Sequence, residues 1–475
     1  MSHRFLRLLV ATFATAVTLI SIPRVAAGAE VKYGDKPNVL FIAIDDLNHW
    51  VGYLGRNEQT ATPNIDRLAG RGVRFMHAYC ASPSCTPSRA ALMSGLRPGS
   101  TGVYDNHNDW RPVIPPEKCL PAQFRGGGYV ALGAGKVYHG NRVAEWDDYL
   151  SEEAGDPNRP RGRARLPEGA DNGVGGIRFA PLDCEDADLP DYRIADYGIA
   201  QLGKAHDKPF FLAVGLHKPH MPWNVPKKWY EKFPLESIKL PPTIDNDLGD
   251  VPPAGVKMAK PDGDHARMVS SGRWKEAVRG YLAAIAYTDM NVGRVLDALD
   301  RSQHKDNTIV VLWGDHGWHL GEKEHWRKFA LWEEATRAPL VWVVPGVTKP
   351  NGVCERTVDF MSIYPTLMDL CGLPTPPHVE GRSIRALLAD PATAWSQPAV
   401  TTYLLNNHAV RSDGFRYIHY ADGGEELYDE AADPLEHTNL ATKPEYRQRM
   451  QELAKSLPSR NVPDVGPRKS GGRED

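Results

Sequence analysis

Pro37-Asn-Val-Leu-Phe-Ile-Ala-Ile44 runs directly into Asp45-Asp46. The apolar run shows no alternation with polar residues, so it predicts a parallel strand buried on both faces, not the half-exposed strand of a meander. Two adjacent carboxylates at the end of such a strand are costly to bury unless something compensates their charge. In open α/β sheets that carboxyl edge is where ligands bind. The pair reads either as a turn cap or as hard oxygen ligands for Ca2+ or Mg2+.

The same pattern recurs along the chain. Thr308 to Trp313 is an apolar run followed by Gly314-Asp315-His316-Gly317, a second acid cluster at a strand end. A neutral imidazole beside a carboxylate is also a metal ligand. Pro209 to Gly215 leads into Leu216-His217-Lys218-Pro219-His220, and Tyr129 to Ala134 leads into Gly135-Lys136-Val-Tyr-His139-Gly140. Val73 to Tyr79 reads as the strand that delivers the next segment. Ala338 to Pro345 reads as another strand, and Arg279 to Leu299 as a long amphipathic helix. Thr62-Pro63 reads as an N-cap and first turn of a helix ending near Ala69. Leu120 to Arg125 and residues 191–205 read as helices.

Ser84-Cys85-Thr86-Pro87-Ser88-Arg89 precedes a run of good helix formers that Gly95 ends. Pro87 suits a first turn, which puts Cys85 at a helix N-terminus, where free N–H groups and the macrodipole favour negative charge. That placement predicts an acidified, reactive thiol. Read alone, a small buried cysteine before an ordinary helix fits as well.

Cys85-Thr-Pro-Ser-Arg89 is similar to the Cys-x-Pro-x-Arg signature of the formylglycine-dependent sulfatases, members of the alkaline phosphatase superfamily. Gly-Lys136-x-x-His139 and Asp315-His316-Gly also resemble motifs of that family. His217-Lys-Pro-His220 and His at position 316 resemble its iduronate-2-sulfatase-like branch. The resemblance runs from about Asn38 to the C-terminal region. It implies a large mixed, mostly parallel sheet sandwiched by helices. It also implies a smaller C-terminal α+β subdomain on a short antiparallel sheet, matching the Glu426 to Leu440 run.

The resemblance further implies roles. Asp45, Asp46, Asp315 and His316 would hold one divalent cation, most often Ca2+ in the family, with the modified Cys85 as a further oxygen ligand. Cys85 would be oxidised to formylglycine by a sulfatase-maturing enzyme, and its hydrate would attack sulfur. Arg89, Lys136 and Lys328 would neutralise the sulfonyl oxygens. His217 or Lys328 would protonate the leaving oxygen, and His139 would act as base to release sulfate. The substrate would be a sulfated saccharide, such as a sulfated uronate. Two other readings compete: a phosphate or phosphonate ester hydrolase of the same superfold, and an inactive homologue that only binds sulfated glycan. The complete set of site residues argues against the last.

Length and composition bound the rest. At 475 residues, 41% hydrophobic and 24% charged, the chain is long enough for a large core. A net charge of -3 carries no nucleic-acid or membrane signal. Residues 1–29, with Arg4, Arg7, the apolar Leu8 to Ile22 and small residues near Ala27, read as a secretory signal peptide. No Asn-x-Ser/Thr sequon occurs, which points to a bacterial periplasmic or secreted protein. Six cysteines are too few for a disulfide scaffold, and conversion of Cys85 would leave at least one of the others unpaired. The expected division is 1–29 leader, 30–390 catalytic domain and 391–475 C-terminal subdomain. Residues 144–190, with Arg159, Arg161, Arg163 and Arg165, read as a solvated insertion or a rim for a polyanionic sugar. Residues 234–272 read as a long loop. Tyr417 to Tyr420 and Glu426 to Tyr428 read as short antiparallel strands, Pro444 to Leu457 as a last helix, and residues from Asn461 onward as disordered.

Overall fold

The structure is a computed structural model that describes residues 36–140, 143–151, 166 and 171–467. The expected leader at 1–29 and the four arginines of 159–165 lie outside the described residues. Eight strands form the main sheet: β1 (Asn38–Ile44), β2 (Val73–Tyr79), β3 (Val130–Gly135), β4 (Asp148–Leu150), β5 (Phe210–Leu216), β6 (Thr308–Gly314), β7 (Leu340–Val343) and β8 (Gly352–Asp359). Their spatial order is β8-β2-β7-β6-β1-β5-β3-β4. Only β7 runs antiparallel to its neighbours.

β1 lies in the middle, parallel to β5 and β6. Every one of its residues is buried, as the uninterrupted apolar run predicts. Leu40, Ile42 and Ile44 face one helical layer, which includes Tyr281, Leu282 and Ile285. Val39, Phe41 and Ala43 face the other, which includes Leu92, Phe124 and Leu367. Each large side chain buried this way contributes about 1.5–3 kcal/mol, so the central strand is fixed from both sides.

The helices that matter for the site are α1 (Pro63–Arg71), α2 (Cys85–Ser94), α3 (Pro190–Leu202), α4 (Pro253–Ala259), α5 (Ala266–Ser271) and α6 (Trp274–Arg301). Thr62 does not cap α1 with its side chain. Its hydroxyl instead accepts from the Gly52 amide at 2.8 Å. The free amides of Asn64 and Ile65 donate to Asp289 on α6, which caps α1 from outside the local sequence.

The expected loop at 234–272 contains α4, a π-turn over Pro261–His265 and α5. Ala259 and Met268 are buried there, and this packing overrides the high Pro and Gly content. The expected insertion at 144–190 supplies β4 at the sheet edge and Phe179–Leu182, which pairs with Trp223–Pro226. α6 begins earlier than expected, at Trp274.

A four-stranded antiparallel sheet follows, β9 (Ala399–Thr402), β10 (His408–Arg411), β11 (Phe415–His419) and β12 (Glu425–Asp429). The last helix is α7 (Arg447–Ala454). Residues 461–467, expected to be disordered, pack against the chain. The Val462 and Val465 amides donate to Gly99 and Gly102 carbonyls, and Tyr104 Oη donates to Val462 O at 2.7 Å. Among the described residues no helix is long and apolar enough to cross a membrane.

Candidate active site

The four strands β3, β5, β1 and β6 are adjacent and parallel, so their C-terminal ends open on one edge. That edge receives Lys136, His217, Asp45-Asp46 and Asp315-His316. The Asp45 amide donates to Leu216 O and the Asp315 amide to Ile44 O, both at 3.1 Å, which extends the ladder through the acidic residues. Asp46 then leaves the sheet in a left-handed conformation, φ 57°, and its amide donates to Asp315 Oδ1 at 2.9 Å. A non-glycine residue in that region carries local strain, a feature concentrated at functional sites.

Cys85 is the first residue of α2, and Gly95 closes the helix at φ 74°. Asn106 accepts from the Thr86 amide at 2.9 Å and from Ser84 Oγ at 2.8 Å. It satisfies the helix start from a separate segment, and nothing in the local sequence marks it. The Cys85 side chain is wholly buried. Lys328 Nζ donates to Cys85 Sγ at 3.0 Å, and His316 Nε2 lies 3.3 Å from the same sulfur.

The expected acidification of Cys85 does not hold. Burial pushes the thiol well above its usual range, and Asp45 adds to the rise, outweighing Lys328 and Lys136. The helix-terminus argument omitted the neighbouring carboxylates, which are closer than the dipole is strong.

The cations hold the acids. Arg89 donates through Nε to Asp315 Oδ2 at 2.8 Å and through Nη2 to Asp45 Oδ1 at 3.1 Å. Its Nη1 donates to the carbonyls of Lys136 and Val137. Arg89 is fully buried, so it sits beneath the carboxylates and locks them. Direct neutralisation of sulfonyl oxygens, the role expected for it, is not what this geometry provides. Lys136 Nζ donates to Asp45 Oδ2 at 2.6 Å, and Lys328 Nζ to Asp46 Oδ1 at 2.8 Å.

The acids respond differently. Burial alone would raise Asp45, but Lys136, His220, Arg89 and His217 together hold it well below the usual carboxylate range. Asp315 is raised, since burial outweighs Arg89 and His316. Burial also works against the charge on Lys328, yet Asp46 and the other anions keep it protonated above its usual range.

The geometry suits a divalent cation. Donor atoms of Asp45, Asp46, Cys85 and His220 lie within 4.8 Å of one another, as do those of Cys85, Asp315 and His316. Asp46 Oδ2 is buried without a hydrogen-bond partner. His316 Nδ1 lies 3.0 Å from Gly317 O. Donation to that carbonyl fixes the tautomer and turns the Nε2 lone pair toward Asp46 Oδ1 at 3.4 Å and Asp315 Oδ2 at 3.6 Å. A carboxylate-rich set with one imidazole fits a hard cation.

His220 was absent from the expected site residues, which took only the first histidine of His217-Lys-Pro-His220, and that as a catalytic group and not a ligand. The turn after β5 brings both rings to the site, 4.7 Å apart between centroids. His217 Nδ1 is 3.9 Å from Asp45 Oδ2, and His220 Nε2 is 3.8 Å from Asp46 Oδ2. Asp191 of α3 accepts the amides of His217 and Lys218 at 2.8 and 2.7 Å and so fixes this turn. His139 Nδ1 lies 2.8 Å from Thr86 Oγ1. A cavity of about 470 Å³ opens over the cluster, with His139, His220, Lys328 and Trp318 among its lining residues.

Residues 37–373 match the sulfatase family, and residues 321–462 match the C-terminal region of N-sulphoglucosamine sulphohydrolase. The chain is 38% identical over 456 residues to a sulfatase of Formosa agariphila, covering 90% of this chain and 87% of that protein. It is 32% identical over 403 residues to the iduronate 2-sulfatase of Homo sapiens, covering 74% and 73%. Among solved structures, the phosphonate monoester hydrolase of Agrobacterium radiobacter superposes with a TM-score of 0.77 at 22% identity, over 89% of this chain and 95% of that one.

Proposed function

The chain belongs to the sulfatase family, and on that footing we propose that it hydrolyses sulfate esters of carbohydrate, with position 85 carried as formylglycine. The observation that supports this most directly is the convergence of Asp45, Asp46, Cys85, Asp315, His316, Lys136 and Lys328 at one sheet edge. The relative that acts on iduronate 2-sulfate supports a sulfated uronate, or another acidic glycan fragment, as the substrate class. The apolar leader supports export to the periplasm or beyond, after modification by a maturing enzyme.

A sulfate ester requires a nucleophile, positive charge around the non-bridging oxygens, an acid for the leaving alcohol and a route to release sulfate. Formylglycine, as the hydrated aldehyde, supplies geminal hydroxyls, one to attack sulfur and one for release. Asp45, Asp46, Asp315 and His316 would hold a divalent cation, most often Ca2+ in this family, which would supply Lewis-acid charge to the ester.

The chain's own residues do the rest. Lys136 and Lys328 present ammonium groups from two sides of the carboxylates and draw the sulfonyl oxygens in. Arg89 donates to both Asp45 and Asp315 and holds them in place. Lys328 is committed to Asp46 and Cys85, whereas His217, partly exposed beside Asp45, donates the proton to the leaving oxygen. Thr86 Oγ1 donates toward Asn106 O at 3.4 Å. His139 Nδ1–H then donates to Thr86 Oγ1, which leaves the Nε2 lone pair of His139 as the base.

Desulfation of defined sulfated oligosaccharides, with products weighed by mass spectrometry, tests the reading. Loss of sulfate from at least one acidic saccharide is expected. Faster hydrolysis of phosphate or phosphonate esters than of any sulfate ester would overturn it in favour of a phosphohydrolase on the same fold.

A further inference from the structure

The cavity above the cluster has one basic wall that the reaction does not use. α4 ends at Ala259, and the chain turns through Lys260 and the π-turn into α5, which carries Arg267. Lys260, Arg267 and Arg327 all line the cavity that also holds His220 and Lys328. Lys260 is exposed, and no ion pair is found for it among the described residues.

This wall is fastened to the catalytic loop. His325 Nδ1 lies 2.7 Å from Ala259 O, and His325 Nε2 lies 2.7 Å from Lys328 O. One buried imidazole thus sits between the Lys260 turn and the backbone of Lys328 and donates to one of the two carbonyls. Arg327 Nε donates to Asp264 Oδ2 at 2.7 Å, a second tie between the same segments. Arg267 Nη1 stands 3.7 Å from Asp264 Oδ1. Asp264 offsets one of the three cations and Asp105, which also lines the cavity, at most a second, so the wall keeps a net positive charge.

Backbone geometry gives an independent sign of purpose. Lys260 and Arg327 both occupy left-handed backbone, at φ 51° and φ 80°. At Lys260 this is the left-handed cap that ends α4; at Arg327 no helix end accounts for it, and strain of about 1–3 kcal/mol there is tolerated chiefly at ligand clamps and active sites. Gly176 leaves the space for Arg327: a Cβ there would stand 2.0 Å from Arg327 Nη2. One strained position and a glycine recess place Arg327 on the cavity wall, where asparagine or glycine would have relieved the strain and carried no charge.

We infer that Lys260 and Arg267, backed by Arg327, form a subsite for a second anionic group, carboxylate or sulfate, on the same saccharide whose sulfate ester reaches Lys328. The inference rests on the sulfatase reading above and narrows its substrate to a saccharide with at least two negative groups. Guanidinium binds a planar or tetrahedral oxyanion through paired N–H donors, whereas a neutral sugar gains nothing from that charge.

The test compares three substrates on the metal-loaded full chain: a neutral monosulfated sugar, a monosulfated uronate disaccharide and a disulfated neutral disaccharide. Lys260→Ala and Arg267→Ala are measured singly and together, with Lys260→Arg as a charge-preserving control. Wild type is expected to prefer a dianionic substrate over the neutral one. The double variant should lose that preference at least tenfold in the ratio of kcat/KM values, mainly through KM, and Lys260→Arg should restore most of it. The substrate whose ratio falls further identifies the second group as carboxylate or sulfate. Turnover of all three with an unmoved ratio in the double variant overturns the subsite while leaving the sulfatase reading intact. No turnover of any sulfate ester overturns the sulfatase reading and this inference with it.

Discussion

Lys328 Nζ stands 3.0 Å from Cys85 Sγ and 2.8 Å from Asp46 Oδ1. The lysine bridges the head of α2 and the end of β1, residues from distant parts of the chain. Its backbone neighbours Arg327 and Phe329 are both left-handed, at φ 80° and φ 78°, so the ammonium is delivered by a loop with little freedom to retreat. Lys328→Ala should lower kcat by at least 10²-fold, the scale of one lost preorganised charge. Steady-state kinetics on the best sulfate ester measures it, and a loss below threefold would remove Lys328 from the machinery.

Cys85 should be formylglycine in active protein. As a thiol it is held protonated by burial and by Asp45, so unmodified cysteine offers a poor nucleophile at neutral pH. Peptide mass spectrometry of active enzyme is expected to show the modified residue. Full activity with unmodified cysteine throughout would end this mechanism. Cys85→Ala should abolish turnover with the folded spectrum unchanged.

Metal should stabilise the fold as well as the reaction, because a cation that binds only the native state adds RT ln(1 + [L]/Kd). Chelation is expected to lower both activity and Tm, with recovery on adding Ca2+. Asp45→Ala should remove both effects, since Asp45 also anchors Lys136 and Arg89. His316→Asn keeps a polar ligand and should weaken binding without abolishing it. Metal content by elemental analysis distinguishes the two variants.

His139→Ala should separate cleavage from release. With the base removed, about one equivalent of alcohol per enzyme is expected before turnover stalls. The Cys85 peptide should then carry a sulfate mass adduct. Normal steady-state turnover in this variant would reassign the base.

Acid should destabilise the chain through His408. Burial is the main cause, with His419 adding to it, of a drop in its pKa from the ordinary 6.5 to about 4. The folded-state value lies below the unfolded one, so the folded chain binds fewer protons between those limits. The contribution is therefore complete above pH 6.5 and falls away as pH drops toward 4. At about 1.4 kcal/mol per pKa unit, it amounts to roughly 3 kcal/mol. His408→Gln should show a smaller fall in Tm between pH 7 and pH 4.5 than wild type.

Much of this site is legible in the sequence because each strand that carries it is a plain apolar run ending in a charged or imidazole group. Val39 to Ile44 before Asp45, and Ile309 to Trp313 before Asp315, each announce a buried strand and its functional end. What the sequence hides is pairing at a distance. Asn106 caps α2 and Asp289 caps α1, and neither stands near the helix it serves. His220 looks redundant beside His217 until the turn after β5 brings both rings to the acids. β4, β8 and β9 at sheet edges, and β10 inside the small sheet, escaped notice, being short or mixed in polarity. The Pro- and Gly-rich stretch around Lys260 folds into helices because Ala259 and Met268 find a core, which local composition does not reveal.

The strand order sets a schedule for synthesis. Val39 of the central strand pairs with Phe211 on one side and Ile309 on the other. Neither partner exists when the Cys85 segment leaves the ribosome, and sheets built from such remote pairings close slowly. Once the sheet closes, Cys85 is wholly buried and no enzyme-sized visitor can touch it. Access to the thiol is therefore an interval in time, opened by translation of residue 85 and shut by arrival of residues 308–314. On the formylglycine reading proposed above, a variant that folded faster would shut out the maturing enzyme and emerge stable but idle.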